Sequence, residues 1–289
     1  MSAAVAQGPA GLADEPRRAR VVGLLNPAGS TAKSTVAAAL AQCAAAAGRS
    51  VLAVDTDPQA NLTGWLGGTR DTAGITQAVR AAAANDPAAW PGVAAAEVLA
   101  DRTRQIRRTI QPTAAGVDLI GADPGVRSLV RSWADLRARA PELLLAETVE
   151  SVADRYDLVL VDTKGDLGAL AEAALRACDQ VIGVATPTVK ALEGLGLLQA
   201  ETARVGTARF AAVIPVQIRP RNRGAAADDL YQLMREDYSA LVTGPVRGAS
   251  NLDAAYAAGQ PVTQFEPDSP VAADLRALYA ELVDREVLR

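Results

Sequence analysis

"LLNPAGSTAKSTVAAAL", residues 24–40, decides how the rest of the chain is read. A hydrophobic run from Val21 to Leu25 stops at Asn26, and a loop of small residues follows. Lys33-Ser34-Thr35 then opens an alanine-rich stretch of helical composition. Strand, small-residue loop, Lys-Ser and helix is the order of a phosphate-binding loop. In such a loop, backbone N–H groups and the exposed amides of the first helical turn hold phosphate oxygens. In the pattern G-x-x-x-x-G-K-[ST] the lysine reaches the β/γ-phosphates and the hydroxyl ligates Mg²⁺. Here both glycine positions are changed, to Pro27 and Ala32. The candidate nucleotide-binding residues are therefore Gly29, Ser30, Thr31, Ala32, Lys33, Ser34 and Thr35.

Outside this loop, short β-branched runs alternate with longer helical stretches, the pattern of a mostly parallel, twisted α/β sheet with helices on both faces. Strands are expected over Arg20–Leu25, Ser50–Val54, Val117–Gly121, Leu158–Val161, Gln180–Ala185 and Ala211–Val216. Helices are expected over Lys33–Ala47, Gly125–Ala138, Pro141–Arg155, Leu167–Ala177, Ala191–Val205, Ala225–Glu236 and Val271–Val287. The segment 66–112 holds one or two more helices. No linker or repeat interrupts the order, so residues 20–289 read as one domain behind a disordered arm at 1–19.

Composition narrows the chemistry. There is no histidine, which removes Ser-His-Asp triads, His-ligated zinc and imidazole acid–base catalysis. The two cysteines, Cys43 and Cys178, are far apart in alanine-rich contexts and read as buried thiols of a cytoplasmic protein. No apolar run approaches the ~20 residues of a membrane helix, so no membrane role is expected. The net charge of −4 leaves nucleic-acid contacts to local basic patches. Of 29 cationic side chains only three are lysines: Lys33, Lys164 and Lys190. Each follows a predicted strand, so all three fall at the carboxyl edge of the sheet, where open α/β sheets bind ligands. A compact ammonium is thus confined to that edge, while arginine serves elsewhere.

Two further loops return to the same edge. "VLAVDTDPQANLTGWLG" is an apolar strand ending in Asp55, followed by Asp57-Pro58-Gln59-Ala60-Asn61. "RYDLVLVDTKGDLGAL" ends its strand at Asp162, placed to hold Mg²⁺ through water.

Together these segments resemble the ParA/MinD ATPases, the deviant Walker A group of P-loop NTPases, over about residues 20–285. "DTDPQANLTGWLG" is similar to that family's D-x-D-P-Q-x-N segment, and "ATPTVKALEGL" to its P-x-x-x-A-L-E-G-L stretch. "AAYAAGQPVTQFEPDSPVAADLRALYAEL" is similar to its C-terminal G-x-P-V…Y-x-x-x-S-P…Y-x-x-L segment, with Phe265 in the tyrosine place. The ParA branch fits better than MinD, whose basic membrane-targeting tail has no counterpart in "LVDREVLR".

The resemblance implies ATP and Mg²⁺ as cofactors, with Lys33 and Ser34 on phosphate and metal. Asp57 positions the attacking water beside the metal, and Asp162 holds the metal shell. It also implies an ATP-dependent homodimer, non-specific DNA binding, a ParB-like or cargo adaptor, and a cytoplasmic, nucleoid-associated location.

The chain departs from the family where K-G-G-V-G-K-[ST] becomes A-G-S-T-A-K-S. The signature lysine, which crosses the dimer interface to the partner's nucleotide, is Ala28. Lys164, beside the aspartate of the third loop, is the expected replacement and a catalytic candidate with Lys33 and Asp57; Lys190 is the reserve. Some cargo-positioning relatives resemble this chain in having a lysine outside the loop. The DNA-contacting candidates are Arg219, Arg221, Arg223 and Arg247. A non-hydrolysing nucleotide-sensing or DNA-binding scaffold of the same fold is the alternative reading.

Overall fold

The computed structural model describes residues 18–29, 32–70, 73–85, 87, 94–132, 140–218 and 225–289. The expected arm lies outside them except for Arg18 and Ala19, and Ala19 is already buried.

Among the described residues seven strands form one sheet: β1 (Arg20–Leu25), β2 (Val51–Asp55), β3 (Gln111–Pro112), β4 (Asp118–Ile120), β5 (Leu158–Asp162), β6 (Gln180–Ala185) and β7 (Arg209–Pro215). Their order is β3-β4-β2-β5-β1-β6-β7. All neighbours run parallel except β3 against β4. Central strands are buried on both faces, as a parallel sheet requires, so they read as continuous apolar runs rather than alternating ones.

Side chains of β1 still alternate between layers. Val21 and Leu25 enter one core, and Val22 and Leu24 the other. The first core packs under α3 (Ile75–Ala84), α4 (Ala95–Arg107), α5 (Val126–Ser132), α6 (Leu144–Glu150) and α7 (Ala169–Ala177). The second packs under α1 (Lys33–Ala46), α2 (Asn61–Trp65), α10 (Leu252–Ala257), α11 (Val262–Phe265) and α12 (Pro270–Asp284). A smaller third cluster lies between α8 (Val189–Val205), β7 and α9 (Ala225–Asp237).

Local chemistry sets several ends. Thr188 caps α8 by accepting from the Ala191 N–H, and Gly206 closes it in the left-handed conformation. Ser269 caps α12 with Pro270 at its first position.

The helix expected over Pro141–Arg155 is broken. A 3₁₀ turn at Pro141–Leu143 leads into α6, and a second follows at Ala153–Arg155. Val152 leaves helical geometry at φ −132° because Val152, Ala153 and Tyr156 are all pulled into the core ahead of β5. The helix expected to begin at Gly125 is described as α5 to Ser132; residues 133–139 lie outside the described set.

Candidate functional site

The loop after β1 is held from below before any ligand is considered. The Asn26 amide donates to the carbonyls of Val184 (3.0 Å) and Ala191 (3.4 Å), and its Oδ1 accepts from the Ala28 N–H at 2.8 Å. One side chain thus ties β1 to β6 and α8. The fit depends on Gly194, where a Cβ would sit 2.5 Å from Asn26 Oδ1. On the other side the loop touches Gly165, whose Cβ would lie 3.2 Å from Gly29 Cα.

Ala32 adopts φ 55°, ψ 24°, the left-handed conformation that glycine takes without cost. At this position the chain therefore keeps a glycine-type conformation although the glycine has gone. Ser30 and Thr31 lie outside the described residues.

Lys33, Ser34, Asp57, Asp162 and Lys164 converge at the carboxyl ends of β1, β2 and β5. Lys33 is buried to 7 % exposure, and burial lowers its pKa while Asp162, Asp57 and Asp166 oppose that fall. Ser34 Oγ donates to Asp162 Oδ2 at 2.5 Å. Asp55 and Asp162 are register partners on β2 and β5, both fully buried. Burial raises both pKa values, and for Asp162 the neighbouring Asp55 charge adds to it.

The two carboxylates differ in their donors. Asp55 accepts from the Thr63 N–H (2.8 Å), the Thr63 hydroxyl (2.7 Å) and the Asp57 N–H (3.0 Å), which favour its ionised form. Asp162 Oδ1 is buried with no partner. Asp55 is therefore the better stabilised of the two as a carboxylate, and it organises the loop that carries Asp57. Asp57 in turn accepts from the Gln59 N–H at 2.9 Å.

Lys33, Ser34, Asp57 and Lys164 line a cleft of about 590 Å³ with Gln59, Asn61, Trp65, Gln217, Leu252 and Asp253, while Asp162 is buried beneath it, bonded to Ser34. An orphaned carboxylate oxygen beside a serine hydroxyl, with a buried ammonium nearby, is a donor set that fits a hard divalent cation and a phosphate chain. Sequence reasoning missed the cleft's far wall. Gln217 follows β7 at φ 58°, and α10 brings Leu252 and Asp253 across from the C-terminal third. Tyr256 holds α10 there, edge-on to Trp65 with ring centroids 5.3 Å apart. Only the aromatic and polar residues of the "DPQANLTGW" segment carried a readable signal.

Lys164 Nζ lies 2.7 Å from Asp166 Oδ2, half exposed at the cleft rim, and this hydrogen bond raises the lysine's pKa. Lys190 is exposed in the first turn of α8, outside the cleft lining. Arg247 is far from either lysine's role: its Nε and Nη2 form a fork on Asp274 at 2.6 and 2.8 Å. Arg219, Arg221 and Arg223 lie outside the described residues.

Comparison with known proteins bears on the fold and the family. The AAA domain family matches residues 19–211. A ParA family protein of Chlamydia pneumoniae is 30 % identical over 264 residues, covering 88 % of this chain and 94 % of that protein. The sporulation initiation inhibitor protein Soj of Bacillus subtilis is 30 % identical over 179 residues, 62 % of this chain and 63 % of Soj. Among solved structures, an ATP complex of Cyanothece McdA superposes with a TM-score of 0.73 at 16 % identity, covering 94 % of this chain and 98 % of McdA. Cobyrinic acid a,c-diamide synthase of Mycobacterium smegmatis, with ADP and magnesium, gives 0.69 at 21 % identity over 92 % of this chain and 94 % of the synthase. The structural likenesses speak to the fold. With a domain match over residues 19–211 and a 30 % identical relative covered over 94 % of its length, the chain belongs to the ParA family.

Proposed function

We propose that this protein is an ATPase of the partitioning or cargo-positioning kind, acting as one domain over residues 20–289. The observation that carries the reading is the meeting of Lys33, Ser34 and Asp57 in one cleft, with the orphaned Asp162 oxygen buried beside Ser34. Relatives named for ParA and for plasmid partitioning support it, as does a fold neighbour solved with ATP.

Lys33 holds the β/γ-phosphates of ATP, with the loop amides from Gly29 to Thr35 around them. Ser34 and Asp162 hold the Mg²⁺ shell, with Asp57 beside it. Asp57 orients the water that attacks the γ-phosphorus as the bond to the ADP oxygen breaks. Mg²⁺, when bound, neutralises charge on the phosphate oxygens.

The loop is a deviant Walker A lacking its signature lysine, and Lys164 supplies the missing ammonium across a homodimer. It leaves Asp166 to do so. The dimer binds DNA without sequence preference through Arg219, Arg221, Arg223 and Arg247, and an adaptor of the ParB kind or a cargo protein stimulates hydrolysis. Arg247 shares its fork with Asp274 and contributes least. The protein works in the cytoplasm on the nucleoid. Among the described residues no helix is long and apolar enough to cross a membrane.

The test is the mass of the protein with ATP for Lys164→Ala, Lys164→Arg and Lys190→Ala. The Lys164→Ala variant stays monomeric and Lys164→Arg recovers poorly, since a planar fork does not replace a point charge in a tight loop. Failure of the Lys190 variant alone moves the compensating charge to Lys190. Normal dimers from all three remove the lysine from the account. One observation favours the non-hydrolysing scaffold as second reading: an alanine in the left-handed turn at Ala32 next to a loop without its lysine. Phosphate release with DNA present separates the two.

A further inference from the structure

A second cleft, of about 570 Å³, opens at the other end of the sheet. Arg20 begins β1, Arg49 comes just before β2, and Asp157 and Asp179 come just before β5 and β6, so all four stand at amino ends of strands. Arg18 and Arg289 form its rim. No lysine lines it, and nothing in the nucleotide reading uses it.

The two inner guanidiniums of this cleft are held in place by main-chain oxygens. Arg49 donates to two main-chain carbonyls, Leu288 O and Asp157 O, the latter at 3.2 Å. Arg20 Nε donates to the main-chain oxygen of Arg289 at 3.3 Å. Neither makes an ion pair with an Asp or Glu among the described residues. The rim pairs are exposed ones: Arg18 with Asp179 at 3.5 Å, and Arg289 with Glu286 at 2.8 Å. Such pairs hold their partners weakly.

The two lining carboxylates already have backbone work. Asp157 Oδ2 accepts from the Ser50 N–H and hydroxyl, both at 2.8 Å, and Asp179 Oδ2 from the Val21 N–H at 2.9 Å. Four guanidiniums therefore stand around a concave space that focuses their field, against Asp157, Asp179 and, at the rim, Glu286. Guanidinium forks anchored through some of their N–H groups keep others for a planar, two-oxygen acceptor, which is how arginine recognises phosphate. The volume falls in the range of small-ligand clefts, roughly 300–1,000 Å³.

We propose that this amino-end cleft binds an oligophosphate group, seated between Arg20 and Arg49 with Arg18 and Arg289 closing over it. The group comes either from a free oligophosphate or from the phosphate backbone of DNA. The site is independent of the nucleotide reading, and the two fail separately.

Calorimetry with inorganic tripolyphosphate on the Lys33→Ala protein tests it, because that background weakens the carboxyl-end site. The expected result is one bound equivalent per chain, weakened about tenfold or more by adding Arg20→Gln and Arg49→Gln. If that variant loses its cooperative melt, Arg18→Gln with Arg289→Gln decides instead, since both side chains are more than two-thirds exposed and carry no fold. A short DNA duplex that displaces the tripolyphosphate assigns the phosphate to DNA, and a duplex that does not assigns it to a free oligophosphate; either result keeps the site. No binding to the Lys33→Ala protein, or binding unchanged in the arginine variants, overturns it.

Discussion

The two ends of one sheet carry clefts of nearly equal size, about 590 and 570 Å³, with opposite cations. At the carboxyl end Lys33 is buried among carboxylates, and Asp55 and Asp162 lie side by side without exposure. At the amino end the guanidiniums lean on main-chain oxygens near solvent, and the carboxylates there cap strand starts. A buried ammonium needs nearby negative charge to stay protonated, and paired buried carboxylates need a proton or a cation. The carboxyl end is therefore under electrostatic tension of the kind that the proposed metal and phosphate chain would relieve together. The amino end is not, since its arginines remain charged whatever binds.

The largest contrast is in what each end's aspartate is worth to folding. Asp55→Ala leaves the Thr63 and Asp57 N–H groups buried without an acceptor, and should cost about 3 kcal/mol in urea unfolding. The amino-end counterpart, Asp157→Ala, loses acceptors near solvent and should cost about 1 kcal/mol. Equal losses would mean that the two ends are not electrostatically different.

Next in size is a pH effect confined to the carboxyl end. A carboxyl whose folded pKa is raised binds more protons folded than unfolded, so its contribution is complete below the ordinary 3.8 and is lost as pH rises through the raised value. Unliganded protein should lose about 1.4 kcal/mol per pH unit across that window from Asp162. In Asp162→Asn the slope should flatten, read by thermal melts between acid and neutral pH. An unchanged slope would show that Asp162 enters the fold ionised.

Much of this arrangement can be read in the sequence. β1 and β6 have the bounds read from their apolar runs, Arg20–Leu25 and Gln180–Ala185, because strands buried on both faces give unbroken patterns. The loops ending in Asp55 and Asp162 are legible for the same reason. The cleft's far wall is not. α2, α10 and α11 are only four to six residues long, too short to show a helical period, and they exist through tertiary contacts such as Tyr256 on Trp65. β3 is two residues with a proline, paired antiparallel at the sheet edge. The amino-end arginines are scattered from Arg18 to Arg289 and share no linear motif; only the sheet brings them together.

The smallest effect concerns the loop itself. Ala32 pays a left-handed penalty that glycine does not, so Ala32→Gly should stabilise the protein by about 1 kcal/mol or less. A destabilised variant would mean that the alanine methyl, partly buried against the α1 face, is worth more than the strain.

The most direct measurement is calorimetric titration of ATP with Mg²⁺ into three proteins: the parent, Lys33→Ala, and Arg20→Gln with Arg49→Gln. On the proposed assignment of the nucleotide to the lysine end, Lys33→Ala should lose at least tenfold in affinity, about 1.4 kcal/mol. The arginine variant should keep the parent's affinity at the Mg²⁺-dependent carboxyl-end site and lose only phosphate binding at the amino end. Unchanged affinity in Lys33→Ala, or a loss confined to the arginine variant, would contradict the assignment of nucleotide to the carboxyl end of the sheet.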